Sequence, residues 1–93
     1  MSADERWENL LREQINKLAR GPRDWVALVE LRPRLDERGA SRAAQDDHLK
    51  RLSKARKLEL VPESNRKALK APDHDAAINI GGEANHLVMW IGD

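Results

Sequence analysis

The sequence predicts a small α+β domain in which helices flank a short antiparallel sheet. Three observations predict this class. Apolar residues recur at helical spacing through residues 7–18. A pattern that starts at Ser41 is also helical, and it passes almost directly into the alternating residues Leu58–Val61. Residues 87–91 form an apolar run that ends at a glycine, which is typical of a strand covered on both sides.

The first helix is predicted over residues 2–19. Ser2 is a suitable N-cap, and Glu5 stands three residues later, as in a capping box. Gly21 and Pro22 stop the helix, because glycine tolerates a left-handed cap and proline cannot continue the helix. The apolar stripe of this helix is expected to pack on the core, and the alternative is a homodimer formed through the same helix.

A brief edge strand and a short second helix are predicted next. Residues 25–28 are rich in strand formers but too few for a lasting helix. The second helix is expected over residues 29–38, ending at Gly39. Pro33 is then tolerated because the first amides of a helix have no partner inside it.

The third helix is predicted from Ser41 to about residue 56. Each residue of an α-helix is rotated by about 100° from the one before it, so the position of a residue predicts whether it points inward to the core or outward to solvent. The segment 41–57 holds six basic residues against two acids, and this is the clearest positive patch of the sequence. The inward face comprises Gln45, His48, Leu49, Leu52 and Ala55, and the outward line comprises Ala43, Asp46, Asp47, Lys50, Lys54 and Lys57.

The strands 58–61 and 87–91 are expected to pair antiparallel, although about 25 residues separate them. A connection of that length is usually functional or partly structured. A short helix is predicted inside it, starting at Pro72, with an apolar face that includes Ala76 and Ile80 and a stop at Gly81-Gly82.

Composition excludes several classes of function. A chain of 93 residues with a formal charge of +1 is expected to form one domain that exerts no strong overall field on nucleic acid or membrane. Cysteine is absent, and the first residues lack the pattern of a signal peptide, so a cytoplasmic protein is expected. Asp73, His74 and Asp75 are neighbours that would point in different directions on a helix, so neither a metal nor another cofactor is predicted. No nucleophile motif is present, and an enzyme is not expected.

The order of elements resembles a winged helix-turn-helix domain. The segments that carry the resemblance are WVALVELRPRL, GASRAAQDDHLKRLSKARKLELVPE and HLVMWIG. The resemblance implies a three-helix core, a small antiparallel sheet and, over residues 62–86, an enlarged wing that contains a short helix. It also implies a third helix in the major groove and a wing that touches phosphates. The implied base-facing residues are Arg42, Ala43 and Asp46, and the implied backbone contacts are Lys50, Lys54, Lys57, Arg66 and Lys67.

Two departures from the pattern keep a second function open. The wing is longer than usual, and Asp46 and Asp47 place negative charge on the helix that would read DNA. Ion pairs from Asp46 to Lys50 and from Asp47 to Arg51 would make this an ordinary solvated helix face. The leading hypothesis is a double-stranded DNA-binding protein, either a transcriptional regulator or the DNA-reading subunit of an assembly. The alternative is an adaptor that binds protein and not DNA.

Overall fold

The computed structural model describes residues 1–92 and has a mixed architecture of helices and small antiparallel sheets. It agrees with the predicted α+β class. The elements follow in the order α1 (Ala3–Leu18), β1 (Val26–Ala27), α2 (Leu28–Asp36), α3 (Arg42–Lys54), β2 (Leu58–Val61), a short 3-10 helix (Arg66–Ala68), α4 (Ala71–Ala76), β3 (Ile78–Ile80), β4 (Glu83–Asn85) and β5 (Leu87–Trp90).

Helix α1 begins with the predicted capping box. The Ser2 hydroxyl accepts from the Glu5 amide at 3.1 Å, and the Glu5 carboxylate accepts from the Ser2 amide at 3.5 Å. Leu11 and Ile15 are buried on the inner face of the helix. The predicted amphipathic helix and its start are therefore confirmed.

Strand β5 is the centre of the main sheet, whose strand order is β1-β5-β2. Val26 of β1 pairs with Val88, and Leu58 and Val61 of β2 pair with Trp90 and Leu87. Both pairings are antiparallel, so the predicted pairing of the two strands across the long connection is confirmed. Strand β2 lies at an edge of this sheet and follows α3 after three residues.

The explanation for Pro33 is wrong. Helix α2 starts at Leu28, so Pro33 lies inside it, beyond the first turn whose amides need no partner. Proline has no N–H to donate to the carbonyl of Val29, and α2 is accordingly short. The helix is held from outside, since the Leu28 amide donates to the His86 carbonyl at 2.9 Å.

Helix α3 begins at the predicted cap, because the Ser41 hydroxyl accepts from the Ala44 amide at 3.1 Å. Leu49 and Leu52 have no exposed surface and anchor the helix in the core. At its end the Lys57 amide donates to the Leu52 carbonyl at 2.9 Å, and Arg56 takes a left-handed φ of 61°. This closure turns the chain sharply into β2.

The connection between β2 and β5 is richer than predicted. Helix α4 confirms the expected helix near Pro72, but the helical face that included Ile80 is wrong. Ile80 belongs to β3, and Gly81-Gly82 join β3 to β4 in a hairpin with φ values of 59° and 83°. Positive φ at both positions is the two-residue turn that suits a right-handed hairpin, and glycine adopts it without strain.

The core lies between the helices and one face of the main sheet. Its fully buried side chains are mostly leucines from all three long helices and β2, joined by Val88 of β5. No helix within residues 1–92 is long and apolar enough to cross a membrane.

Candidate nucleic-acid interface

The exposed side of α3 and the β3–β4 hairpin form a groove, which we call the α3 groove. Lys50 and Lys54 lie four residues apart on α3, so they are one helical turn apart on the same face. Both are exposed, and neither makes an ion pair or side-chain hydrogen bond within residues 1–92. The groove is lined by Lys50, Ser53, Lys54, Asn79, Ile80 and Gly81. It therefore brings two free cations beside the tip of a hairpin.

Asp46 does not lie on the outward line where the helical spacing puts it. Its carboxylate forms an ion pair at 2.8 Å with Arg32, whose side chain is only 4% exposed. The Nε of Arg42 lies 3.8 Å from the same carboxylate oxygen. The predicted pair between Asp46 and Lys50 is wrong, and Lys50 is left free.

Arg32 is the centre of a buried polar network between three helices. Its Nε donates to the Ala76 carbonyl of α4 at 2.9 Å, and its Nη1 donates to Gln45 of α3 at 3.2 Å. Burial lowers the pKa of Arg32, and the hydrogen bond and charge of Asp46 oppose that effect. The guanidinium still carries its charge at neutral pH, because the ordinary pKa of arginine is far above it. One side chain of α2 therefore fixes both α3 and the segment that leads into the hairpin.

Arg42 is tied to the same region. Its Nη2 donates to the Asp75 carbonyl in α4, while about half of its side chain remains exposed. Ala43, the next residue, is exposed. Of the three implied base-facing residues, Arg42 and Asp46 thus make intramolecular contacts, and Ala43 offers a methyl group.

The remaining predicted contacts lie apart from the α3 groove. The Lys57 stem is half-buried against Gly92, where an added Cβ would lie 3.0 Å from Lys57 Cδ. Arg66 and Lys67 are exposed on the 3-10 helix. None of these three residues lines the groove. The structure brings together Lys50 and Lys54, and it does not add the other predicted cations to them.

A second cluster joins α3 to the start of α1. The His48 ring stacks on Trp7 with centroids 4.5 Å apart and planes 13° apart. Arg51 lies 3.3 Å from His48 Nδ1 and donates to the Asp4 carbonyl at 3.2 Å. Burial, and then the charge of Arg51, lower the pKa of His48. Arg51 also lies 3.8 Å from the Asp4 carboxylate, so the predicted pair with Asp47 is wrong.

The sequence did not reveal two features of this region. Ile80 is 38% exposed and lines the α3 groove, where an apolar side chain beside two lysines is available to a partner. Its spacing from Ala76 suited a helix, and this concealed its place in a strand. Arg32 could have been noticed because it directly follows Leu31, which is fully buried.

Comparisons of the chain with models of known protein families, with curated proteins and with solved structures gave no match. Within residues 1–92, no group of three His, Cys, Asp or Glu side chains is placed to hold a metal ion.

Proposed function

We propose that this chain is a winged helix-turn-helix domain that binds double-stranded DNA through α3 and the β3–β4 hairpin. The architecture is supported by the strand order β1-β5-β2, with α2 and α3 inserted in sequence between the two edge strands. The connection from β2 to β5 corresponds to an enlarged wing, which holds α4 and the hairpin. The exposed face of α3 then lies beside the wing, as DNA binding requires.

The observation that carries the DNA proposal is the pair of free lysines in the α3 groove. Lys50 and Lys54 have no acidic partner, since Asp46 is held by Arg32. Cations that are free in the unbound protein can neutralise phosphates without first breaking an ion pair. The glycines of the hairpin tip also leave room for a close approach of the wing to a duplex.

Base reading in this proposal is limited. Arg42 and Asp46 reach base edges only if their contacts with Asp75 and Arg32 are given up. Ala43 and Asp47 are exposed. The methyl group of Ala43 can contact a thymine methyl group, and the carboxylate of Asp47 can accept a hydrogen bond from a cytosine amino group. Affinity would therefore come mainly from phosphate contacts, and the sequence preference would be weak.

The test is a titration of a fluorescein-labelled duplex of mixed sequence, followed by fluorescence anisotropy at several salt concentrations. Replacing Lys50 and Lys54 by Gln removes two phosphate contacts, so the slope of log affinity against log salt should fall by about 1.8. Arg20→Glu is the control, because Arg20 is an exposed cation that follows the far end of α1. Absence of binding at about 50 mM salt, where such contacts are strong, or an unchanged slope would refute the proposal.

A protein-binding adaptor is the second candidate, and a specific observation favours it. Asp46 and Arg42 of α3 are charges that a DNA-reading helix would present to the duplex, but here Asp46 is paired with Arg32 and Arg42. The exposed Ile80 also offers an apolar contact that phosphates do not need. If the chain does not bind duplex DNA, the adaptor is supported by a purified protein that binds the wild-type chain. That binding should be lost in Ile80→Asp and kept in Arg20→Glu.

A further inference from the structure

A second groove, which we call the α1 groove, lies between the first half of α1 and the turn that joins α2 to α3. It is lined by Arg6, Trp7, Leu10, Arg38, Gly39 and Ala40. None of these residues lines the α3 groove, so a partner of the α1 groove would be additional to the proposed DNA.

The floor of the α1 groove is apolar and firmly held. Trp7, Leu10 and Ala40 are half-buried, and all three pack against the core. The stack on His48 fixes the indole ring, and the contacts of Arg51 hold that histidine in turn. A partner would therefore meet a rigid aromatic surface, which loses little conformational entropy on binding.

The rim of the α1 groove is positively charged. Arg6 and Arg38 are exposed, and neither side chain makes an ion pair or a hydrogen bond within residues 1–92. Glu13 lies near enough for the charge of Arg38 to act on it, but its carboxylate is already paired with Lys17 at 3.0 Å. Two unpaired guanidinium groups thus flank an apolar floor.

We propose that the α1 groove is a docking site for an acidic segment of a partner protein, which inserts one apolar side chain between two carboxylates. Guanidinium groups bind carboxylates through paired, charge-assisted hydrogen bonds. Tryptophan and arginine are the side chains that most often dominate binding energy at protein interfaces. The apolar floor favours such a segment over a nucleic-acid backbone, which has phosphates but no apolar side chain to place there.

A second copy of this chain does not supply the required segment. The large apolar side chains that are exposed within residues 1–92 are Met1, Trp25 and Ile80. Ser2 follows Met1, Val26 follows Trp25, and Ile80 lies between Asn79 and Gly81, so none stands between two acids. The acidic segment that the positive rim would bind therefore belongs to a different protein.

The experiment is a selection of random twelve-residue peptides displayed on phage against the intact protein, followed by synthesis of the enriched peptides with a fluorescent label. Enriched peptides should carry Asp or Glu on both sides of a Leu, Phe or Trp. For enriched peptides that carry Leu or Phe and no Trp, binding should quench or shift the fluorescence of Trp7, and that response should be absent in Trp7→Phe. The double variant Arg6→Glu/Arg38→Glu should bind at least about tenfold more weakly, because both carboxylate contacts become repulsive.

Arg20→Glu is the matched control, since it reverses one exposed arginine beyond the other end of α1 and should leave peptide affinity unchanged. Circular dichroism of each variant separates a loss of binding from a loss of folding. The proposal is overturned if no peptide is enriched, if the enriched peptides lack acids, or if the double variant binds them as well as the wild-type chain does. It is also overturned if the double variant stays folded but loses affinity for duplex DNA as strongly as the Lys50 and Lys54 variants do, because the groove would then bind DNA. The same holds if the wild-type chain is a dimer in solution and the double variant is a monomer, because the groove would then bind a second copy.

Discussion

The ion pair between Arg32 and Asp46 should stabilise the fold, and a double-mutant cycle measures its contribution. The variants are Arg32→Met, which keeps an unbranched side chain, Asp46→Ala, and the two together. Arg32 is 4% exposed, and Asp46 is about one-third exposed, at 32%. Removing one partner alone leaves the charge of the other without its counter-ion. A charge that is shielded from water and has no counter-ion costs more free energy than the loss of the whole pair.

The expected magnitudes follow from the contacts. Arg32→Met leaves the Ala76 carbonyl and the Gln45 side chain without their donor, and it leaves the Asp46 carboxylate without its ion pair at 2.8 Å. Hydrogen bonds to charged groups contribute about 1.5–3 kcal/mol each, and part of this is offset because an arginine no longer has to be desolvated. We expect a loss of about 3 kcal/mol for Arg32→Met, and about 2 kcal/mol for Asp46→Ala because solvent screens that residue.

The double variant should be more stable than the sum of the two losses implies, by about 1–2 kcal/mol, since both single variants lose the same interaction. Urea denaturation measures the free energies of unfolding. In a domain of this size, about 1 kcal/mol corresponds to a shift of about 4–8 °C in melting temperature. A coupling below about 0.5 kcal/mol would refute the claim that this ion pair joins α2 to α3.

Three further predictions concern the core, a cap and pH. Leu49→Ala should lower the free energy of unfolding by about 2–5 kcal/mol in urea denaturation, because Leu49 is fully buried. Ser41→Ala should cost about 1 kcal/mol in the same assay, because the hydroxyl caps α3, whereas Ser41→Asp should retain most of the stability. Burial first, and then the charge of Arg66, lower the pKa of His86, and its Nδ1 accepts from the Glu63 amide at 3.0 Å. Below about pH 6.5 the unfolded chain therefore binds more protons at this histidine than the folded chain does. The contribution of the neutral His86 to the free energy of unfolding is complete above that pH and is lost as the pH falls below it. The melting temperature should therefore drop between pH 7 and pH 5, and the drop should be smaller in His86→Gln; an equal drop would exclude His86 as its source.

Much of the fold could be predicted because its signals are local. The serine caps of α1 and α3 and the alternation of Leu58–Val61 each depend on a few neighbouring residues. The pairing of β2 with β5 followed because two apolar strands had few other partners. Gly81-Gly82 misled the prediction, because glycine ends a helix and also makes a hairpin turn, and only the pairing of β3 with β4 decides between these roles.

The candidate site was less predictable, because its contacts join residues that are distant in sequence. Angular position on α3 gave Asp46 an outward direction, but the partner that turns it inward, Arg32, lies on another helix. The link from Arg42 to Asp75 spans 33 residues. Lys50 and Lys54 were assigned correctly to the exposed face, since a long side chain with no partner simply follows the geometry of its helix.

The position of β2 at the edge of the main sheet has a consequence for aggregation. The carbonyl of Lys57 accepts from the amides of Ile91 and Gly92, which follow β5, and that of Val61 accepts from His86, so the alternating backbone groups of Leu58 and Leu60 point away from the sheet. Such an open edge can recruit the same edge of another molecule. A two-fold pairing centred on Glu59 would set this residue directly opposite its own copy, and the repulsion of two like charges disfavours that register. The exposed carboxylate of Glu59 therefore disfavours this edge-to-edge pairing of two copies.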